Sequence, residues 1–192
     1  MIEVKNICKS YNEKVVLDNF SCQLPDTGFV AVTGESGAGK TTLLRILMGL
    51  EEADSGNISG KPYLADSFSL SVVFQEDRLL EKKSALDNVL LVCAEQKKAE
   101  SILSELGLEN DLNTNVCDLS GGMKRRVSIA RALARDADIY ICDEPIRGLD
   151  SENRLMTLEC IRKHTSGKLL IMTSHDPDDF QGADLILTIS AP

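Results

Sequence analysis

The chain has 192 residues, 43% of them hydrophobic, and a formal net charge of −9. That is enough apolar material for one domain with a sizeable core, and it excludes a disordered polymer. The acidic balance argues against a sequence-independent grip on nucleic-acid phosphates, so no nucleic-acid partner is expected.

In chain order, the first part reads as β-structure. IEVKNI is followed by VVLDNFSCQL, in which Phe20, Cys22 and Leu24 alternate with polar neighbours. FVAVT has strand character and runs into GESGAGKTT, residues 34–42. The next stretch, LLRILMGL, carries Leu43, Ile46, Leu47 and Leu50 at helical spacing, with Leu44 and Met48 making it apolar nearly all round. Such a helix is expected to be buried against a sheet. LSVVF (70–74) is a further strand and leads to Gln75.

From Glu76 to about Ala137 the period is helical. Leu86, Val89, Leu90 and Cys93 form one stripe, and Ala99, Ile102, Leu103 and Leu106 a second. A third helix is expected after LSGG, through RRVSIARALARD. β-structure returns with DIYIC (138–142), then a helix with Leu155, Leu158 and Ile161 facing inward, then the short strands KLLIMTS and DLILTIS. Strands alternating with helices predict an α/β fold with a largely parallel sheet. The expected organisation is one domain, with 1–75 and 138–192 as the α/β core and 76–137 as a helical insertion.

GESGAGKTT stands at a strand-to-helix junction and fits G-x-x-x-x-G-K-[ST], the phosphate-binding loop. Its glycines let successive N–H groups converge on an anion, and the helix that follows points its positive end at the same place. Lys40 can reach terminal phosphates, and the Thr41 hydroxyl can ligate Mg²⁺. The pattern predicts a bound nucleotide triphosphate. Asp143 and Glu144 end an apolar strand, where α/β proteins place their ligands. Asp143 suits the water shell of a metal at the phosphates, and Glu144 suits the orientation and deprotonation of an attacking water. LSGGM (119–123) places a serine and two glycines at a helix start, a second small anion nest.

The whole string LSGGMKRRVSIARAL resembles the signature segment of ATP-binding cassette (ABC) ATPases. The likeness continues in family order with VVFQEDRLL, IYICDEP, RGLD (147–150) and TSH (173–175), after an opening KSYNEKVVLDNF. It implies a P-loop ABC-ATPase fold with an N-terminal antiparallel β part. It also implies ATP and Mg²⁺ as cofactors, and two copies of the domain facing each other head to tail. On that resemblance, the loop residues Gly34, Glu35, Ser36, Gly37, Ala38, Gly39, Lys40, Thr41 and Thr42 hold phosphates within one chain. Ser120, Gly121 and Gly122 touch the γ-phosphate of the other copy. Thr41 and Gln75 ligate Mg²⁺ beside Asp143, Glu144 is the general base, His175 aligns it with water and phosphate, and Tyr11 stacks on adenine.

The implied function is the ATPase subunit of a transporter, bound to transmembrane permease subunits on the cytoplasmic face of the cell membrane. Met123, VFQEDRLL and LDNVLL resemble importer subunits of the nitrate, sulfonate and taurine type. A second reading within the family, a soluble assembly ATPase of the iron–sulfur cluster type, stays open here. The chain stops at DLILTISAP, where family members usually continue.

Six cysteines (8, 22, 93, 117, 142 and 160) make no C-x-x-C pair, and the two histidines add no zinc pattern, which fits a reducing cytosol. MIEVKNICKS lacks the apolar core of a signal peptide, and no apolar run approaches the ~20 residues that span a bilayer. A soluble chain is expected. KRR (124–126) is read as a solvated helix face and His164 as a solvated helix end. In EDRLLEKK (76–83), Leu79 and Leu80 belong to no stripe and are expected to meet a membrane partner.

Overall fold

The structure is a computed structural model, and it describes residues 1–60 and 69–190. Strands β1 (Ile2–Tyr11) and β2 (Lys14–Leu24) pair as an antiparallel hairpin. Its turn residues Asn12 and Glu13 are both left-handed, at φ 46° and 66°, the backbone that a two-residue hairpin turn requires. β4 (Ser55–Gly60) adds to the far edge of β1 and completes the order β2-β1-β4. SGNISG has a single aliphatic residue, so no alternation announces this strand. Pairing with β1 makes it.

The second sheet is parallel. β3 (Gly28–Thr33), β5 (Leu70–Val73), β6 (Ile139–Cys142), β7 (Leu169–Thr173) and β8 (Leu185–Thr188) run in the order β5-β6-β7-β3-β8. Successive side chains point to opposite faces, so each strand feeds two cores. Phe29, Ala31, Tyr140, Cys142, Leu170 and Met172 join one apolar cluster. Their neighbours Val30, Val32, Ile139, Ile141, Leu169 and Ile171 join the other. A sheet buried on both faces explains why these strands read as continuous apolar runs.

Helix α1 (Lys40–Leu47) shares the second core with the antiparallel sheet. Helices α2 (Ala85–Leu90), α3 (Gln96–Glu105), α4 (Gly121–Ala134) and α5 (Ser151–His164) share the first. Local chemistry fixes their starts. Ser84 and Asp87 form a reciprocal capping box on α2, and the Ser120 and Asp150 side chains cap α4 and α5. α4 therefore begins at the first glycine of LSGG rather than after it. Val127, Ile129 and Leu133 on α4 are buried, each contributing about 1.5–3 kcal/mol.

Three periodicity expectations are corrected. Leu50 lies beyond α1, past Gly49 (φ 69°), and is exposed. Cys93 is buried, but it follows the end of α2. Leu155 faces away from the core at 64% exposure, while Leu158 and Ile161 do face inward. Among the described residues no helix is long and apolar enough to cross a membrane.

Candidate active site

The sheet order builds the site. β5, β6, β7 and β3 are neighbours, so the residues after their carboxyl ends emerge side by side, where open α/β sheets bind ligands. These are Gln75, the pair Asp143-Glu144, His175 and the loop 34–42. Ser36, Gly37, Gly39, Lys40, Thr41 and Thr42 share a cleft of about 240 Å³ with Gln75, Glu144 and His175. Val16 of β2 closes it, a residue that carries no sequence signal of its own.

The loop owes its path to two glycines in particular. Gly37 has φ 82° and Gly39 φ 100°, and a Cβ on Gly39 would stand 2.8 Å from the Val16 carbonyl oxygen. Gly39 also caps α1, whose first residue is Lys40. The Lys40 side chain is buried and donates to the carbonyls of Gly34 (2.8 Å) and Glu35 (2.9 Å), holding its ammonium inside the curl. Two of its three donors are thereby used.

The strand register assembles the acidic pair. Cys142 is opposite Met172, which sets Asp143 beside Thr173. Thr173 Oγ1 donates to Asp143 Oδ1 (2.7 Å) and accepts from the Glu144 N–H (2.8 Å). The other Asp143 oxygen accepts from Thr41 Oγ1 at 2.8 Å, tying β6 to the first turn of α1. The Glu144 carboxylate meets His175 Nε2 at 2.7 Å and Arg147 Nη1 at 3.2 Å. Its backbone is left-handed, φ 49°, which a non-glycine residue adopts only under constraint.

Not every expected residue lies in the cleft. Gly34, Glu35 and Ala38 shape the loop from outside it. Ala38 is buried in the second core, and its N–H is bonded to the Glu35 carbonyl. Tyr11 is 40% exposed and does not line the cleft; the Lys9 ammonium stands 5.3 Å from its ring centroid. Ser120, Gly121 and Gly122 also lie apart from it. The Ser120 hydroxyl accepts from the Met123 N–H (3.3 Å), and a Cβ on Gly121 would meet nothing within 4 Å. The nest is open.

Two polar expectations are corrected. KRR is no solvated face, because Arg125 and Arg126 are buried. Arg126 donates to the Leu106 carbonyl (2.6 Å), and Arg125 reaches the loops after β5 and β6. Burial of this kind is set by what packs on a helix, which a charge run does not reveal. His164 is no solvated helix end, since its Nε2 is 3.0 Å from Glu105, which also accepts from Lys163 at 3.0 Å. Leu79 packs on the helical core, and only Leu80 of the pair stands exposed. Thr173, Arg125 and Arg147 are the polar residues that the sequence reading missed at the site. Each lies inside a segment with a signal of its own, Thr173 in TSH, Arg147 in RGLD and Arg125 in KRR, but none of those patterns marks the residue itself.

Comparison with known proteins places this geometry in context. A family model described as ABC transporter matches residues 17–147. The chain is 37% identical over 185 residues to an aliphatic sulfonates import ATP-binding protein, SsuB 2, of Pseudomonas syringae pv. syringae, covering 93% of this chain and 65% of that protein. It is 36% identical over 197 residues to a macrolide export ATP-binding/permease protein, MacB, of Campylobacter jejuni, covering 92% of this chain and 31% of the other. The chain thus spans just under two thirds of the length of the sulfonate-import relative. A dimeric ATP-binding cassette solved in a post-hydrolysis state with ADP and Pi superposes with a TM-score of 0.86. It is 27% identical and covers 98% of this chain and 94% of its own.

Proposed function

The chain belongs to the ABC transporter family, and from that premise we propose that it is the ATP-hydrolysing part of a transporter, working as a pair of copies. The observation that carries the reading is the linked set Thr41–Asp143–Thr173–Glu144–His175, which joins the loop 34–42 to two further strand ends through side-chain contacts of 2.7–2.8 Å. Phosphoryl transfer needs positioning and charge neutralisation rather than covalent help, and this set supplies both.

In the proposed roles, the amides of residues 34–42, with Lys40 and Thr42, hold the phosphates of ATP, and adenine stacks on the exposed Tyr11 ring. Thr41 and Gln75 border the cleft with oxygen donors, and Asp143 stands 2.8 Å behind Thr41. A hydroxyl, a carboxamide and a carboxylate are hard ligands that fit Mg²⁺ with its remaining waters. The ion would neutralise charge on the β- and γ-phosphates. Glu144 takes the proton of the attacking water as the γ-phosphorus–oxygen bond to ADP breaks. His175, already 2.7 Å from Glu144, keeps that carboxylate turned into the cleft.

Ser120, Gly121 and Gly122 are open and lie outside the cleft, which is why a second copy is needed to bring them to the γ-phosphate. Two-fold symmetry satisfies both sites at once. The membrane side of the proposal rests on names and on one surface. The sulfonate-import relative supports an importer working against permease subunits on the cytoplasmic face of the membrane. The macrolide-export relative is nearly as similar, so direction rests on the residues after Gln75 and on Met123. Leu80, exposed five residues after Gln75 in the chain, is the proposed contact with the permease. ATP turnover by the wild type that is abolished in Glu144→Gln, with Mg·ATP binding kept, is the expected result. Turnover surviving in Glu144→Gln would overturn the assignment of the base.

A further inference from the structure

Arg125 lies five residues beyond the cap Ser120, about 7.5 Å along α4. It is 5% exposed, and its three nitrogens all donate to protein oxygens. Nε reaches the Pro145 carbonyl at 2.8 Å. Nη1 reaches the carbonyls of Phe74 (2.5 Å) and Gln75 (3.4 Å) and the Asp77 carboxylate (3.2 Å). Nη2 reaches the carbonyls of Asp143 (2.9 Å) and Glu144 (2.8 Å). One side chain thus grips the turn after β5 that carries Gln75 and the turn after β6 that carries Asp143 and Glu144.

The grip on Glu144 has a particular consequence. Its left-handed backbone is held at the N–H by Thr173 and at the C=O by Arg125 (2.8 Å) and, at longer range, by the Arg147 N–H (3.2 Å). Without Arg125 the C=O keeps only the longer bond from the Arg147 N–H, and the peptide is freer to relax toward an unstrained conformation and shift the carboxylate from its place beside His175. Only an arginine can span these acceptors. Its planar fork offers five N–H donors over a wide arc, whereas lysine offers three from one point and glutamine two.

We infer that Arg125 is a positioning residue that joins the nest at Ser120–Gly122 to Glu144 and Gln75 of the same chain. A partner's ATP seated on the nest thereby sets the chain's own base and metal-side loop for hydrolysis. The inference rests on the two-copy site proposed above. α4 is a continuous helix from Gly121, so a shift of its first turn carries Arg125 with it. Each site then becomes competent only when the other is filled, and hydrolysis is cooperative in ATP.

The test compares Arg125→Lys, Arg125→Gln and Glu144→Gln with the wild type, below the melting temperature of each. ATP affinity of the monomer should stay within about threefold. kcat should fall about tenfold in Arg125→Lys and further in Arg125→Gln, the signature of contacts used in the transition state rather than in binding. The Hill coefficient for ATP should drop from above one toward one. A purely structural Arg125 would lower the melting temperature and leave kcat per binding site and the Hill coefficient at wild-type values. That result overturns the inference. Should neither Arg125 variant fold, Asp77→Asn loosens one anchor of the guanidinium, and kcat should fall about threefold at unchanged affinity; a wild-type kcat overturns the inference. Hydrolysis that survives Glu144→Gln overturns the assignment of the base, and with it the premise that Arg125 positions that base. Hydrolysis lost in Glu144→Gln but normal in the Arg125 variants overturns the coupling alone.

Discussion

Thr173→Val removes one hydroxyl from a side chain that is fully buried. Shape is conserved, so no cavity forms and the cost comes from hydrogen bonding. Asp143 Oδ1 loses a 2.7 Å donor, and the Glu144 N–H loses its 2.8 Å acceptor with no water to replace it. A bond to a charged group is worth about 1.5–3 kcal/mol, and an orphaned buried N–H costs about 1–3. Allowing for relaxation, the expected loss of stability is about 2–4 kcal/mol. For a chain of this size that lowers the melting temperature by roughly 5–15 °C. The same lost bonds free the left-handed peptide at Glu144, so kcat should fall about tenfold or more while ATP affinity holds. Differential scanning calorimetry gives the first quantity, and a phosphate-release assay at 20 °C, where the variant remains folded, gives the second. A melting shift under 2 °C together with wild-type turnover would refute the account of how β7 holds the acidic pair.

Other perturbations reach other parts of the molecule. Lys40→Ala removes the ammonium from the loop and should weaken Mg·ATP binding by about 1.5–3 kcal/mol; unchanged affinity by calorimetry would contradict the loop's role. Burial pushes the thiols of Cys142 and Cys160 up to about 12 and that of Cys22 up to about 11, whereas Cys117 is exposed. Maleimide at pH 8 should therefore label Cys117 well ahead of the others, and peptide mass spectrometry showing equal labelling of Cys142 would contradict the packing of β6. Several carboxyls are held below their ordinary value of 3.8: Asp54 by the Ser10 N–H and Lys9, Asp138 by the Ser69 N–H and hydroxyl, and Asp176 by the Asp178 N–H and Arg154. Depressed carboxyls add stability that is complete above that value and is lost as pH falls through their folded values. The melting temperature should thus stay level down to about pH 5 and then decline, with a shallower decline in Asp138→Asn. A decline that begins on the alkaline side would contradict this assignment.

What the sequence made legible follows physical type. The loop 34–42 could be read because backbone geometry and phosphate chemistry demand particular residues at fixed spacing. The buried strands could be read because a sheet covered on both faces needs unbroken apolar runs, as in DIYIC and KLLIMTS. Periodicity failed where an element ended early or faced solvent. Leu50 continues the pattern of α1 after Gly49 has stopped the helix, and Leu155 sits on the open side of α5. β4 could not be read at all, because its residues are recruited by the edge of β1 rather than by their own propensity. The basic run KRR shows the deepest gap. Its charges look solvated in one dimension, yet Arg125 and Arg126 are buried because carbonyls from three separate segments converge on them. Such acceptors have no side-chain signature. Only the fold brings them together.

In the proposed working site two copies of the chain enclose ATP between the loop 34–42 of one and Ser120–Gly122 of the other. Without nucleotide, facing nests lack an anion and chains of charge −9 repel; bound ATP supplies the charge on which both converge. Light scattering on Glu144→Gln, which should bind ATP without consuming it, tests this most directly. The protein should be a monomer without nucleotide or with ADP and a dimer with Mg·ATP. Adding Ser120→Arg should return it to monomer while ATP remains bound. A dimer that persists in the double variant would contradict this arrangement, because the segment at Ser120 would then not form the second half of the site.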